Sequence, residues 1–110
     1  MNEHRFFTEV TYKEEIILYV LYGKQLYGRE VQTAIIDASG GTRQILPGGL
    51  YSMLRSLKAK GLVESIEPSS ELEGTKEGRR IYYKLTDKGD RALDEIKLFR
   101  FKLFAWKTER

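Results

Sequence analysis

Four basic side chains, Arg43, Arg55, Lys58 and Lys60, share a stretch from position 43 to position 60 that holds no acidic residue. Polyanion binding is the chemistry such a run could do. The run lies on a segment with a helix start and a helix stop. Pro47 suits a first helical position, where a missing N–H costs nothing, and Gly61 suits the left-handed position that closes a helix. Leu50, Met53, Leu54 and Leu57 recur at helical spacing and predict one buried stripe. Ser52, Arg55, Ser56 and Ala59 would then face outward, with Tyr51 and Lys58 on the flank. A small-residue, purely basic face suits a DNA major groove, which is only about 12 Å wide. Gly48 and Gly49 would let bare backbone N–H groups and the helix dipole approach a phosphate. A solvated face that simply lacks acids is the plain alternative.

Other chemistries find little support. The one histidine, His4, lies near the N-terminus without a partner in the pattern, and no phosphate loop, triad or metal-ligand spacing occurs. An enzyme is therefore not expected, and neither is a cofactor or a metal. There are no cysteines, which excludes disulfides and thiolate sites and fits a cytoplasmic setting. No apolar run approaches the ~20 residues of a membrane span, and no signal peptide is expected. Net charge is only +3, yet segment 43–60 carries +4, so the basic excess is concentrated where a docking surface would need it.

The elements that must position this segment can be read on either side of it. At 110 residues the chain is sized for a single unit with a modest core. Phe6, Phe7 and Val10 suggest a short packing arm. A first helix opens at Thr11, with Glu14 at capping-box spacing, and buries Ile16, Ile17, Val20 and Leu21 before Gly23 ends it. A second runs from about Tyr27 to Ala38, burying Val31, Ala34 and Ile35, and Ser39-Gly40-Gly41 closes it. With the Pro47 helix this makes a helix-turn-helix whose last member is the reader. Residues 62–66 and 80–85 read as two strands around a long polar loop, a β-wing. In the second strand Ile81, Tyr83 and Leu85 alternate with Arg80, Tyr82 and Lys84. The loop is acidic at first and basic at its end, where Lys76, Arg79 and Arg80 could reach phosphate or the minor groove.

A last helix starts at Thr86, its N-cap, with Asp87 and Asp90 at its positive end. Ile96, Phe99, Leu103 and Trp106 fall at spacings of 3, 4 and 3, and Leu93, Phe101 and Phe104 widen the apolar surface. So small a body cannot cover all of it, so Leu93, Ile96, Phe99, Leu103 and Trp106 are the expected dimer interface. Folding back onto the chain's own core is the alternative. A DNA reader gains from two-fold symmetry, because one helix in one groove binds weakly. The expected fold is mainly α with a small antiparallel β-wing. Residues 1–85 form the winged helix and 86–110 the dimerisation helix, within one structural unit.

Four collinear pieces of this sequence resemble the PadR family of bacterial winged-helix transcriptional regulators. They are Leu26-Tyr27-Gly28-Arg29-Glu30-Val31, the run from Gly48 to Leu57, Lys60-Gly61-Leu62-Val63, and the run from Arg80 to Gly89. The resemblance implies a homodimeric repressor that holds a palindromic operator on double-stranded DNA and pairs through its C-terminal helix. It also implies phosphate contacts from Tyr27 and Tyr51. Some relatives bind planar aromatic effectors near the dimer interface, which would give Trp106 a second role beside packing. Pro47, Gly49 and Ser52 depart from the family's usual residues, and the wing is longer and more acidic. A winged-helix module that binds protein or a small ligand, without DNA, is the competing reading.

Overall fold

Helix α1 spans Tyr12–Leu21 and begins with the expected capping box. Thr11 Oγ1 accepts from the Glu14 N–H at 3.1 Å, and Glu14 Oε1 accepts from the Thr11 N–H at 3.0 Å. The computed structural model describes residues 10–67 and 80–108. After α1 come a two-residue strand β1 (Leu26–Tyr27), α2 (Gly28–Ala38), α3 (Pro47–Ala59), β2 (Val63–Ile66), β3 (Tyr82–Leu85) and the long α4 (Asp87–Ala105). This is the winged helix-turn-helix with a long terminal helix that the sequence predicts.

The sheet has three strands, where the pattern predicts two. Its order is β1-β3-β2, with both pairings antiparallel. Tyr27 pairs with Tyr82 and Leu26 with Tyr83, so the wing is stitched to the start of α2. Two residues are too few to show alternation, which is why β1 is invisible in the sequence.

The core is one cluster drawn from every helix. Ile17, Leu18 and Leu21 of α1 meet Val31 and Ile35 of α2, Leu50, Leu54 and Leu57 of α3, and Ala92, Leu93 and Ile96 of α4. Leu62, Val63 and Leu85 close it under the sheet. In α1 the fully buried residues are Ile17, Leu18 and Leu21, while Ile16 and Val20 sit at the margin. The stripe expected from Ile16, Ile17, Val20 and Leu21 is therefore turned toward Leu18. In α2, Ala34 is only half-buried. Leu46 caps α3 without a side-chain hydrogen bond. That omission costs about 1 kcal/mol, whereas burying three leucines contributes roughly 1.5–3 kcal/mol each, so packing decides the helix.

The end of α3 is locked to the start of α4. Gly61 adopts φ +78°, and its N–H and that of Leu62 reach the carbonyls of Lys58 and Leu57, both at 3.0 Å. Residues of the α4 N-terminus take further carbonyls there. Thr86 Oγ1 donates to the Gly61 carbonyl at 2.6 Å, the Thr86 N–H to Leu62 at 3.0 Å, and Lys88 Nζ to Lys60 at 3.1 Å. Gly89 packs so closely that an added Cβ would overlap the Leu62 carbonyl. The long helix thus leaves the domain at an angle fixed by the end of α3.

Candidate nucleic-acid interface

Core packing of Leu50, Leu54 and Leu57 turns the opposite side of α3 to solvent. Gly48, Ser52, Arg55 and Ala59, spaced 4, 3 and 4 apart, form that outer strip, and all are exposed. The helix contains no carboxylate. Gly48 and Gly49 stand in its first turn, exposed, with no side chain capping the N-terminus.

The flanks are more occupied than the sequence suggests. Ser56 does not belong to the outer strip. It is half-buried and turned toward Glu14 of α1, whose carboxyl it helps to hold below its ordinary value. Position 56 lies on the stripe of Met53 and Lys60, one step round the helix toward α1, and so stands back from the strip that carries Ser52 and Arg55. Lys60 is likewise spoken for, donating from Nζ to Glu14 Oε1 at 2.9 Å. Burial pushes the Glu14 carboxyl up. The hydrogen bonds from Lys60, the Thr11 N–H and Ser56, with the Lys60 charge, outweigh that and hold it below its ordinary value. The basic surface of α3 is therefore Arg55 and Lys58. Lys58 leans toward the wing, where its ammonium donates to Ser65 Oγ at 2.7 Å.

On the other flank the structure gathers Tyr27, Tyr51 and Arg80, which are far apart in the chain. Tyr27 caps α2, and its N–H donates to Glu30 Oε1 at 3.1 Å. The Arg80 guanidinium stacks 4.4 Å above the Tyr27 ring, and Tyr82 meets the same ring edge-on at 5.4 Å. The Tyr51 ring reaches across from α3 and lies over the Gly28 backbone, where a Cβ would overlap its hydroxyl. Tyr27, Gly28, Tyr51 and Arg80, with Ile81 and Tyr83, line a cleft of about 240 Å³. Burial, followed by the proximity of Tyr51 and Glu67, raises the Tyr83 pKa against a smaller opposing effect of Arg55. Tyr83 is therefore a neutral donor and acceptor in the cleft.

Arg80 thus stands at the root of the wing. Lys76, Arg79 and most of the expected loop lie outside the described residues, as do Phe6 and Phe7 of the expected arm. Gly28, Tyr82 and Tyr83 are parts of the site that the pattern reading omits. For Gly28 a signal exists, since a glycine directly after a helix cap marks a close approach. Tyr82 and Tyr83 joined the site only through β1, which the pattern does not reveal.

The interface expected on α4 divides in two. Leu93 and Ile96 are buried in the chain's own core, so they are not on an intermolecular face. Their spacing continues the seam, but the body of the domain covers the helix as far as Ile96. Beyond it Phe101 is 64% exposed, Leu103 57%, Phe104 89% and Trp106 70%, with Phe99 also exposed. Arg100 fastens the base of this extension to α1, its Nε 2.6 Å from Glu15 Oε1.

The family model of PadR-like transcriptional regulators matches residues 17–95. The chain belongs to the PadR-like family. A PadR-like transcription factor from Bacteroides fragilis superposes with a TM-score of 0.72 at 26% identity, over 92% of this chain and 87% of that one. A PadR family regulator from Clostridium difficile gives 0.67 at 27% identity, over 86% and 92%. A PadR-like regulator from Bacillus cereus gives 0.67 at 27% identity, over 84% of each chain. No curated protein matches this PadR-like chain significantly. The family and these neighbours are transcriptional regulators rather than enzymes. Among the described residues no helix is long and apolar enough to cross a membrane.

Proposed function

We propose that this PadR-like chain is a sequence-specific DNA-binding repressor that acts as a homodimer on a palindromic operator, in the cytoplasm. The observation that carries the reading is the acid-free outer strip of α3, Gly48, Ser52, Arg55 and Ala59, flanked by the Tyr27–Tyr51–Arg80 cleft. Ser52 and Arg55 read base edges, Arg55 being suited to a bidentate bond with guanine. Tyr27, Tyr51 and Arg80 hold a phosphate at the start of α2, while Gly48 and Gly49 offer backbone amides to a second. Lys58 meets the backbone beside the wing, and Lys76 and Arg79 of the wing add contacts of the same kind.

Dimerisation is supported by the α4 extension, whose exposed Phe101, Leu103, Phe104 and Trp106 form more apolar surface than a monomer keeps in water. Since α3 and α4 are locked end to end, pairing through α4 sets the separation of the two readers. A planar aromatic effector would stack on Trp106 within that pairing. Selecting bound sequences from a random duplex pool tests the whole proposal. It predicts enrichment of inverted repeats with half-sites one helical turn, or multiples of one, apart. Recovery of an unenriched pool would instead favour a module that binds protein or ligand.

A further inference from the structure

A groove of about 660 Å³ runs between α1 and the connection that leads from α2 into α3. Its floor and walls are Ile16, Ile35, Ile45, Leu46 and Met53, with no aromatic ring and no carboxylate among its lining residues. Lys13 and Arg43 stand at its rim, both exposed, and among the described residues neither forms a salt bridge. The rim is also built in advance. Ser39 Oγ accepts from the Arg43 N–H at 2.9 Å, Thr42 Oγ1 donates to the Ser39 carbonyl at 2.8 Å, and Gln32 Nε2 donates to the Ile45 carbonyl at 2.9 Å. The connection that carries Arg43 is thus tied at three points, and Lys13 faces it from the first turn of α1, so ordering the two elements on binding costs little.

We infer that this groove binds a free aliphatic monocarboxylate of medium chain length, with its head group between Lys13 and Arg43 and its tail on the isoleucine wall. The size lies within the usual range of small-ligand sites. Two cations without an acid select an anion, and the guanidinium favours a carboxylate that it can meet with two parallel hydrogen bonds. Branched aliphatic walls suit a flexible chain, whereas a planar ring would find nothing to stack on. The site is separate from the Tyr27–Tyr51–Arg80 cleft and does not depend on DNA binding. Gly49 and Met53 of α3 line it too, so an occupant touches the reader helix from behind.

Calorimetric titration of the full chain with decanoate, kept below its micelle concentration and without DNA, tests this. One saturable site per chain is expected, with decanol and butyrate each bound at least about tenfold more weakly. The Lys13→Ala/Arg43→Ala double variant, whose side chains are exposed, should keep its thermal melt and lose at least about tenfold in decanoate affinity. Absence of saturable binding overturns the inference, as does equal binding of decanol or an unaffected double variant. If the double variant alters sedimentation of the free protein while decanoate does not bind, the groove receives a second copy of the chain and the inference falls.

Discussion

Lys60 at the end of α3 and Glu14 in the first turn of α1 meet at 2.9 Å across 46 residues of sequence. The pair ties α3 to the helix behind it, and the Thr11 N–H donates to the same carboxylate, which Ser56 also helps to hold below its ordinary value. Lys60→Ala leaves Glu14, which is 4% exposed, with a lost donor and a lost countercharge. The loss should be about 1–3 kcal/mol in denaturant unfolding. The carboxyl is held below its ordinary value of 4.5 in the folded chain. Its contribution is therefore fully present above that value and disappears as pH falls through the lowered one. The unfolding midpoint of Lys60→Ala should converge on that of the parent in acid. A constant difference down to the lowest pH would contradict the assignment.

Gly89 gives a sharper test of the α3–α4 joint. An added methyl group would run into the Leu62 carbonyl, which is backbone and has no rotamer to retreat into. Helix propensity favours alanine by about 1 kcal/mol, but the overlap costs more, so Gly89→Ala should destabilise by about 1–3 kcal/mol net. A melting temperature equal to or above the parent's would show that α4 is not seated as described.

Gly28 should behave differently, although it too has no room for a Cβ. The obstacle there is the end of the Tyr51 side chain, which can swing away. Gly28→Ala should change stability by less than about 1 kcal/mol while displacing Tyr51 from the cleft. DNA affinity, read by fluorescence anisotropy, should then fall about as far as in Tyr51→Phe or further. Undiminished affinity in both variants would remove Tyr51 from the phosphate contacts.

Arg55 and Lys58 separate reading from holding. Arg55→Ala should weaken operator binding by about 1–3 kcal/mol and relax the preference at one base position. Lys58→Ala should weaken all sequences alike and reduce the salt slope by about one unit. Gel shifts on operator and random duplex distinguish these, and an Arg55→Ala protein that binds the operator as well as the parent would end the reader assignment.

Phe104 is the most exposed apolar side chain of the α4 extension. Phe104→Asp should shift sedimentation from dimer to monomer and leave the fold's circular dichroism intact. A parent protein that already sediments as a monomer would rule the pairing out.

Helix ends and the buried stripe of α3 were legible in the sequence because local chemistry fixes them. Thr11 with Glu14, Pro47, Gly61 and Thr86 all act within a few residues of chain, and each serves in the structure the role its type implies. Long-range partners were not legible. Ser56 and Arg55 are adjacent surface residues by pattern, yet Ser56 is half-buried toward Glu14, which lies a whole helix-turn-helix earlier in the chain. Similarly, Leu93 and Ile96 share a seam with Leu103 and Trp106, and only the limit of the folded body decides where core ends and open surface begins. The Tyr27 cleft depended on β1, two residues whose strand character comes from pairing with β3 rather than from their own types.

Most direct for the central claim is the association of the purified chain with a random-sequence duplex, followed by anisotropy as salt is raised. Micromolar-range binding at low salt that weakens steeply with added salt, and more shallowly for the variant lacking both Arg55 and Lys58, is the predicted result. No association at low salt, or binding indifferent to salt and to both side chains, would contradict it.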